Sequence, residues 1–326
     1  MINQDRTKLS PSVAKGLPLS RKLSEGHKLF RQYRDRAQTG YGFNLLFDTV
    51  AEYDALLHEY VGIRLRDARV LEIGFGARPH RQMLLHSMGV DASGVDAEVP
   101  ALSGRPAEFF RMLKHNGPER AAKSLGRHVF FDRAEREALT FAIRQRGLEP
   151  RLDASKLIIS DAGKLHVAAS SLDLVFSEDV FEHIERVTIE RLVPRMAAWL
   201  RPRGLALIRP NVFTGITGGH LLEWSRESMH RPPTKRDSEP WEHLRKRRFA
   251  PNTYLNGLTR ADYRNVFSQS FELIEERVAQ PALGREYFDD DAQRDLIGWP
   301  DDELFSNQTL FVLRPHTHLH PRSENP

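Results

Sequence analysis

Four carboxylates stand within or just after short apolar runs, where an α/β protein presents side chains to a ligand. Glu72 lies inside Val70-Leu71-Glu72-Ile73, and Gly74-Phe75-Gly76 follows at once. Glycine in such a turn lets the backbone pass close to a ligand, because no Cβ intervenes. Asp96 ends the run that starts at Ala92, and Asp161-Ala162 follows the run 156–160. Ser177 and Glu178 close the run that starts at Leu172. A dinucleotide site asks for G-x-G-x-x-G after the first strand. Here no third glycine follows at that spacing, and His80 stands near its place. Glu72 discriminates further, since a carboxylate repels a pyrophosphate and attracts an ammonium group. Taken singly, each acid also suits a plainer part, capping a turn or helix at a strand end.

Three histidines offer acid–base chemistry, because an imidazole titrates close to neutrality and takes a proton when neutral. His183 stands in Phe181-Glu182-His183-Ile184, His220 follows Gly218-Gly219, and His243 lies in Trp241-Glu242-His243. His220 leads as a base, since the glycines before it suggest a flexible approach to a substrate. Its reaction rate should then fall as the pH drops through the histidine range. The alternative for each is an ordinary loop or packing histidine.

The elements that must position these residues read as alternating strands and helices. Apolar residues from Phe43 to Tyr60 recur at three- and four-residue steps, which predicts a helix over 41–63. Strands are expected at 69–73, 92–96, 156–160, 172–176, 205–208, 271–278 and 309–313. Helices are expected at 80–88, 108–115, 133–146 and 186–200, with a break at Arg201-Pro202-Arg203-Gly204. This order implies a doubly wound α/β fold with a mostly parallel sheet. Ligands in such sheets bind beyond the carboxyl ends of the strands, where the acids and two of the histidines fall. The expected domain spans 41–315, after a basic lead-in over 1–40 and before a disordered tail over 316–326. A helical insertion is expected at about 99–154, and a substrate-side insertion at about 212–262.

Five segments in this order resemble the class I S-adenosylmethionine-dependent methyltransferases. VLEIGFG is similar to their first motif, GVDAE to the segment of the ribose acid, and SDAGKL to the adenine segment. SLDLVFSEDVFEHI and WLRPRGLALIRP are similar to the fourth strand with its ligand loop and to the turn and strand after it. The resemblance covers about 55–215 and departs at Arg78, where the family carries a third glycine, and at Pro202-Arg203-Gly204, which has one glycine where two are common. It implies a Rossmann-like, seven-stranded sheet whose last strand is antiparallel, and S-adenosyl-L-methionine as cofactor. It also implies that Glu72 fixes the ammonium, directly or through water, and that Gly74 and Gly76 lie against the ribose and methionine chain. Asp96 would hold the ribose hydroxyls, Asp161 and the Ala162 amide the adenine, and Ser177 with Glu178 the methionine end. A looser similarity within 218–265 to bacterial surface-polysaccharide methyltransferases favours a sugar or glycan hydroxyl as acceptor. Alternatives are O- or N-methylation of a natural product or lipid, an NAD-dependent oxidoreductase, and a non-catalytic cofactor-binding protein.

Composition narrows the classes. The 326 residues contain no cysteine, which excludes disulfides and thiolate metal sites. No cluster with metal-ligand spacing is visible, so no metal is expected. The chain has no apolar run long enough to span a bilayer and no secretory leader, so a cytoplasmic enzyme is expected. Net charge is +4, unevenly spread: 1–40 carries nine Lys/Arg against three Asp/Glu, 226–248 eight against four, and 285–303 two against eight. The basic segments suggest an anionic small-molecule or glycan acceptor. They lack the aromatic interleaving of a nucleic-acid surface. Trp224, Trp241, Phe249 and Tyr254 suit either sugar stacking or the core of a small subdomain. The oligomeric state cannot be read from the sequence.

Overall fold

The structure, a computed structural model, describes residues 42–229, 236–248 and 254–316, with Gly26, His27, Phe30, Arg31 and Arg34 before them. Most of the basic lead-in, Phe249 and the tail after His316 lie outside these residues. The seven strands are β1 (Arg69–Ile73), β2 (Asp91–Asp96), β3 (Leu157–Ile159), β4 (Leu172–Glu178), β5 (Leu200–Arg209), β6 (Phe271–Val278) and β7 (Thr309–Pro315). They form one sheet in the order β3-β2-β1-β4-β5-β7-β6, with β7 antiparallel to the rest. This is the Rossmann-like sheet expected from the strand–helix alternation. The order reverses between β1 and β4, which pair in parallel with Glu72 opposite Phe176. A reversal of this kind leaves a crevice at the carboxyl ends of the strands, the usual ligand position in open α/β sheets.

By its contacts the chain forms two compact units. The first is built on Leu29–Phe176 and Arg195–Leu207, and the second on Ser177–Pro194 and Ile208–Leu313. In the first unit the helix Asn44–Val61 buries Val50, Tyr53, Leu56 and Leu57, the stripe its spacing predicted. It stops at Gly62, whose φ of 85° lets its N–H reach the carbonyls of Leu57 and His58. The insertion after β2 holds three helices, Pro106–Asn116, Pro118–Arg127 and Arg133–Arg144. The middle one has no counterpart among the sequence expectations, because it buries only Ala121 and Ser124 and so shows no apolar stripe. Its signal is proline at the first helical position after a glycine, Gly117.

The break expected at Arg201-Pro202-Arg203-Gly204 is instead the start of β5, which runs from Leu200 to Arg209. A proline is tolerated at the beginning of a strand, and the glycine is needed there for space. A Cβ on Gly204 would lie 3.1 Å from the carbonyl oxygens of Arg201 and Asp173. The second unit packs Ile216, Trp224, Met229, Trp241, Leu296 and Phe305 into one apolar cluster. No described helix is long and apolar enough to cross a membrane.

Candidate active site

The first unit carries the glycine turn. Strand β1 delivers Glu72 into the interior, 1% exposed. One of its oxygens takes an ion pair from Arg81, and the other accepts from Gln82 Nε2 at 2.8 Å. Burial pushes its carboxyl up, against the pull of Arg81 and Gln82. Both oxygens are thus engaged within the chain, so a direct contact to a ligand ammonium has to compete with Arg81. Gly74 and Gly76 follow with φ of 84° and 69°, the left-handed region that favours glycine. The turn is pinned to β2 at two points: Gly74 N–H donates to Val95 O at 2.8 Å, and Gly76 N–H to Asp96 Oδ2 at 2.7 Å. Asp96 Oδ1 accepts from the Glu98 amide at 2.8 Å. Burial raises the Asp96 carboxyl to about 6, although the Gly76 amide lowers it. Each oxygen keeps a second lone pair, so a part-exposed carboxylate beside an open glycine turn suits a vicinal diol such as a ribose. A Cβ on Gly76 would meet nothing within 4 Å, so this glycine answers a backbone need and leaves space beside it. Asp161, exposed at the end of β3, caps the turn Ala162–Lys164 by accepting from the Gly163 amide at 2.8 Å. Arg78, at the third-glycine position, pairs with the buried Glu135.

The second unit carries the histidines. Strand β4 ends in Ser177 and Glu178, both buried, and Glu178 lies 3.4 Å from Arg209 at the end of β5. The chain then turns through Asp179, at φ 54°, into the short helical turn Phe181–His183. Asn256 holds this turn: its side chain donates to Phe181 O at 2.7 Å and Ile184 O at 3.0 Å, and its amide donates to Glu182 O. His183 Nδ1 donates to Tyr254 O at 2.8 Å, which aims Nε2 toward Glu182. His220 arrives from the loop after β5 on a left-handed backbone, φ 51°. Its Nε2 accepts from Asn211 Nδ2 at 3.2 Å, an orientation set by Thr217 Oγ1 donating to Asn211 Oδ1 at 2.8 Å. The two imidazoles meet edge to face, 4.9 Å between centroids. Behind them the Glu182 carboxylate is buried, with no side-chain hydrogen-bond partner and with the backbone N–H groups of Glu182 and Asn211 as the groups that favour its charge. Ligating atoms of Glu182, His183 and His220 all lie within 4.8 Å of one another.

Burial drives the electrostatics of this cluster. It pushes the Glu182 carboxyl well up, and the charge of Asp179 adds to the rise. It lowers His220 to about 3, with His183 adding to the fall. His220 is therefore neutral throughout the physiological range, and the expected titration near neutrality is not the one its surroundings set. His243 lies behind the loop that carries His220, near enough to add to that fall. It is 1% exposed, donates from Nε2 to Phe213 O at 2.8 Å, and is lowered to about 4 by burial. It is part of the packing. The glycines before His220 are also packing residues: a Cβ on Gly219 would lie 2.6 Å from the His243 ring, and one on Gly218 would collide with Phe213 O. They bring the loop close to its neighbours, where the sequence suggested a flexible approach.

Residues 120–208 match the family described as "Methyltransferase domain". The match runs from the helical insertion through β3, β4 and most of β5, and the glycine turn and the Asp96 strand precede it on the same sheet. Over these residues the chain is similar to a methyltransferase domain. No curated protein matches it. Among solved structures it is similar to a protein of Pyrococcus horikoshii OT3 (15% identity, 82% of this chain and 90% of that one, TM-score 0.41). It is also similar to an S-adenosylmethionine-dependent methyltransferase of Methanosarcina mazei (15%, 79% and 96%, TM-score 0.41). A third is the 1,6-didemethyltoxoflavin-N1-methyltransferase of Burkholderia thailandensis, solved with 1,6-didemethyltoxoflavin and S-adenosylhomocysteine (12%, 92% and 92%, TM-score 0.41).

Within the first unit the structure brings Glu72, Gly74, Gly76 and Asp96 together, and within the second it brings His183 and His220 together. Sequence reasoning missed Glu182 and Asn211. A carboxylate directly before a histidine, just past a central strand, was the available signal for Glu182. Asn211 gave none, since its part depends on Thr217 and His220. Two substrate arguments change. Trp224 and Trp241 are 3% and 0% exposed, so they build the subdomain core and present no sugar-stacking face. Much of the basic segment 226–248 is paired: Arg245 with Asp295 and Glu239, Lys246 with Glu239, and Arg248 with Glu242.

Proposed function

We propose that the chain methylates a hydroxyl of a small-molecule acceptor, a sugar or glycan hydroxyl on the resemblance of its second insertion. The observation that carries this reading is the His183–His220 pair beside a buried carboxylate, on the loops that follow β4 and β5. S-adenosylmethionine supplies a methyl carbon on a sulfonium: the acceptor oxygen bonds to that carbon as the carbon–sulfur bond breaks, leaving a methyl ether and S-adenosylhomocysteine. Everything else is positioning and proton management by the chain. Asp96 would accept the ribose hydroxyls, and the turn at Gly74 and Gly76 would leave room for the sugar and the methionine chain. Asp161 and the Ala162 amide would face the adenine, and Ser177 with Glu178 the methionine end. Glu72 would act chiefly by holding Arg81 and Gln82 behind the turn. The hydroxyl proton would pass to an imidazole of the histidine pair, which for His220 is neutral and able to receive it.

The test has two arms. Calorimetry with S-adenosylhomocysteine and with NAD should show binding of the first only. Incubation with labelled S-adenosylmethionine and a panel of hydroxylated small molecules should give a one-methyl mass increment, which His183→Ala should reduce roughly 100-fold in kcat with cofactor affinity intact. NAD binding alone, or full kcat in His183→Ala and His220→Asn alike, would overturn the reading.

A further inference from the structure

The Glu182 carboxylate is buried in the second unit, and what favours its charge is backbone only, its own N–H and that of Asn211. No side-chain donor or cation is hydrogen-bonded to either oxygen, and a buried carboxylate is costly unless a charge answers it. Asp179 and Glu178 lie close enough to raise its carboxyl further, and Arg209 is spent on Glu178. What faces Glu182 is a pair of imidazole nitrogens, His220 Nε2 at 3.8 Å and His183 Nε2 at 4.0 Å from Oε1. Those separations are too long for hydrogen bonds and slightly wider than two ligands of one metal ion. Ligands at 2.0–2.2 Å in a tetrahedron lie roughly 3.4 Å apart. A contraction of about half an ångström would bring each nitrogen to that spacing from the carboxylate oxygen.

The surroundings are those of a ligand set. His183 donates from Nδ1 to the Tyr254 carbonyl, the outer contact that fixes a metal-binding tautomer with Nε2 as the ligand. The unprotonated Nε2 of His220 already accepts from Asn211, and a cation would take that lone pair in exchange for one bond of 3.2 Å. His183 is exposed and His220 half-buried, which leaves the outer side of the set open to a further ligand. We propose that Glu182, His183 and His220 bind one divalent transition-metal cation. The two-nitrogen, one-carboxylate set suits zinc, manganese or cobalt better than magnesium. Resting on the methyl-transfer reading above, the open position would take the acceptor hydroxyl and lower its pKa, so that the proton passes to solvent water before the oxygen attacks, and with the cation bound this replaces proton transfer to an imidazole.

The experiment uses the full chain stripped with a chelator and then dialysed. Zinc and manganese chlorides are titrated in by calorimetry, without cofactor, and S-adenosylhomocysteine is titrated separately. One equivalent of zinc or manganese should bind per chain, with magnesium at least tenfold weaker. Glu182→Gln should weaken zinc at least 100-fold and leave S-adenosylhomocysteine affinity unchanged. Cobalt substitution gives a readout on the unaltered chain: a visible band of nitrogen-ligated cobalt, absent in His220→Asn, where asparagine tolerates the left-handed backbone. A chain that binds S-adenosylhomocysteine but takes no stoichiometric zinc, manganese or cobalt overturns the metal site alone. So does zinc binding that survives Glu182→Gln and His220→Asn together. Metal binding without S-adenosylhomocysteine binding leaves this site standing and removes the cofactor reading.

Discussion

Burial lifts the Asp96 carboxyl from 3.8 to about 6, while the Gly76 amide pulls it the other way. The folded value lies above the unfolded one, so the proton is bound more tightly in the folded chain. The destabilisation is therefore absent below pH 3.8 and complete above pH 6. At neutral pH it is at most roughly 3 kcal/mol, since each pKa unit corresponds to about 1.4 kcal/mol. Such a carboxylate weakens the empty fold in order to meet a ligand. Asp96→Asn should change the apo chain's stability at pH 7.5 by less than about 1 kcal/mol in denaturant unfolding, because losing the buried charge is offset by an amide NH2 that faces the Gly76 or Glu98 N–H and cannot accept from it. It should also weaken S-adenosylhomocysteine by roughly 10–100-fold, the loss of a charged hydrogen bond. In the native chain the same affinity should fall about tenfold between pH 7 and pH 5, as the carboxylate needed by the ribose is protonated. A flat affinity over that range would mean that Asp96 does not contact the ligand. This residue was legible in the sequence because an acid at the end of a second strand is a local pattern. Glu182 was not, because its significance lies in what long-range packing brings to it: His220 Nε2 comes within 3.8 Å of its buried carboxylate from the loop after β5.

At the scale of elements, legibility followed the range of the forces involved. Strand β1 and the helix Asn44–Val61 were readable because period and end signals lie within the segment itself. The start of β5 was misread as a break because Pro202 and Gly204 are turn residues in isolation. The approach of Asp173 O to Gly204, which requires the glycine, comes from 31 positions away in the sequence. The loop 211–220 shows the same limit. Its glycines read as flexibility, whereas each is pressed against a neighbour. Gly219→Ala places a methyl 2.6 Å from the His243 ring, so it should destabilise the chain by about 1–3 kcal/mol. Adding His243→Ala removes the obstacle along with the bond to Phe213 O. The double variant should then lose less than the sum of the single losses, by at least about 1 kcal/mol. Strict additivity in a double-mutant cycle would show that the loop is not packed as described.

At the scale of the whole molecule, neither compact unit is a continuous piece of chain, so the sequence order of the segments does not reveal which of them meet. Contacts between distant segments must hold the second unit in register, and Glu303 is the clearest of them. Its buried carboxylate accepts from the Arg260 and Ala261 amides, both at 2.9 Å, at the start of the helix Arg260–Phe267. There it satisfies donors that a helix leaves open and meets the positive end of the helix dipole. The same carboxylate accepts from Thr214 Oγ1 at 2.9 Å, across 89 positions of sequence. One side chain therefore ties the loop that carries His220 to the helix that follows the Asn256 clamp. Glu303→Ala would leave two helix amides without their acceptor and the Thr214 hydroxyl with the Glu303 carbonyl in place of the carboxylate. It should cost more than about 3 kcal/mol in urea unfolding. Glu303→Gln keeps one acceptor oxygen and should cost about half as much. Because the histidine loop loses its anchor, kcat should fall in Glu303→Ala at temperatures where the chain is still folded. Affinity for S-adenosylhomocysteine should change much less than kcat, since Gly74, Gly76 and Asp96 belong to the other unit and Glu303 bonds to neither Ser177 nor Glu178. A stability loss under 1 kcal/mol, or a loss of cofactor affinity equal to that of kcat, would contradict this assignment.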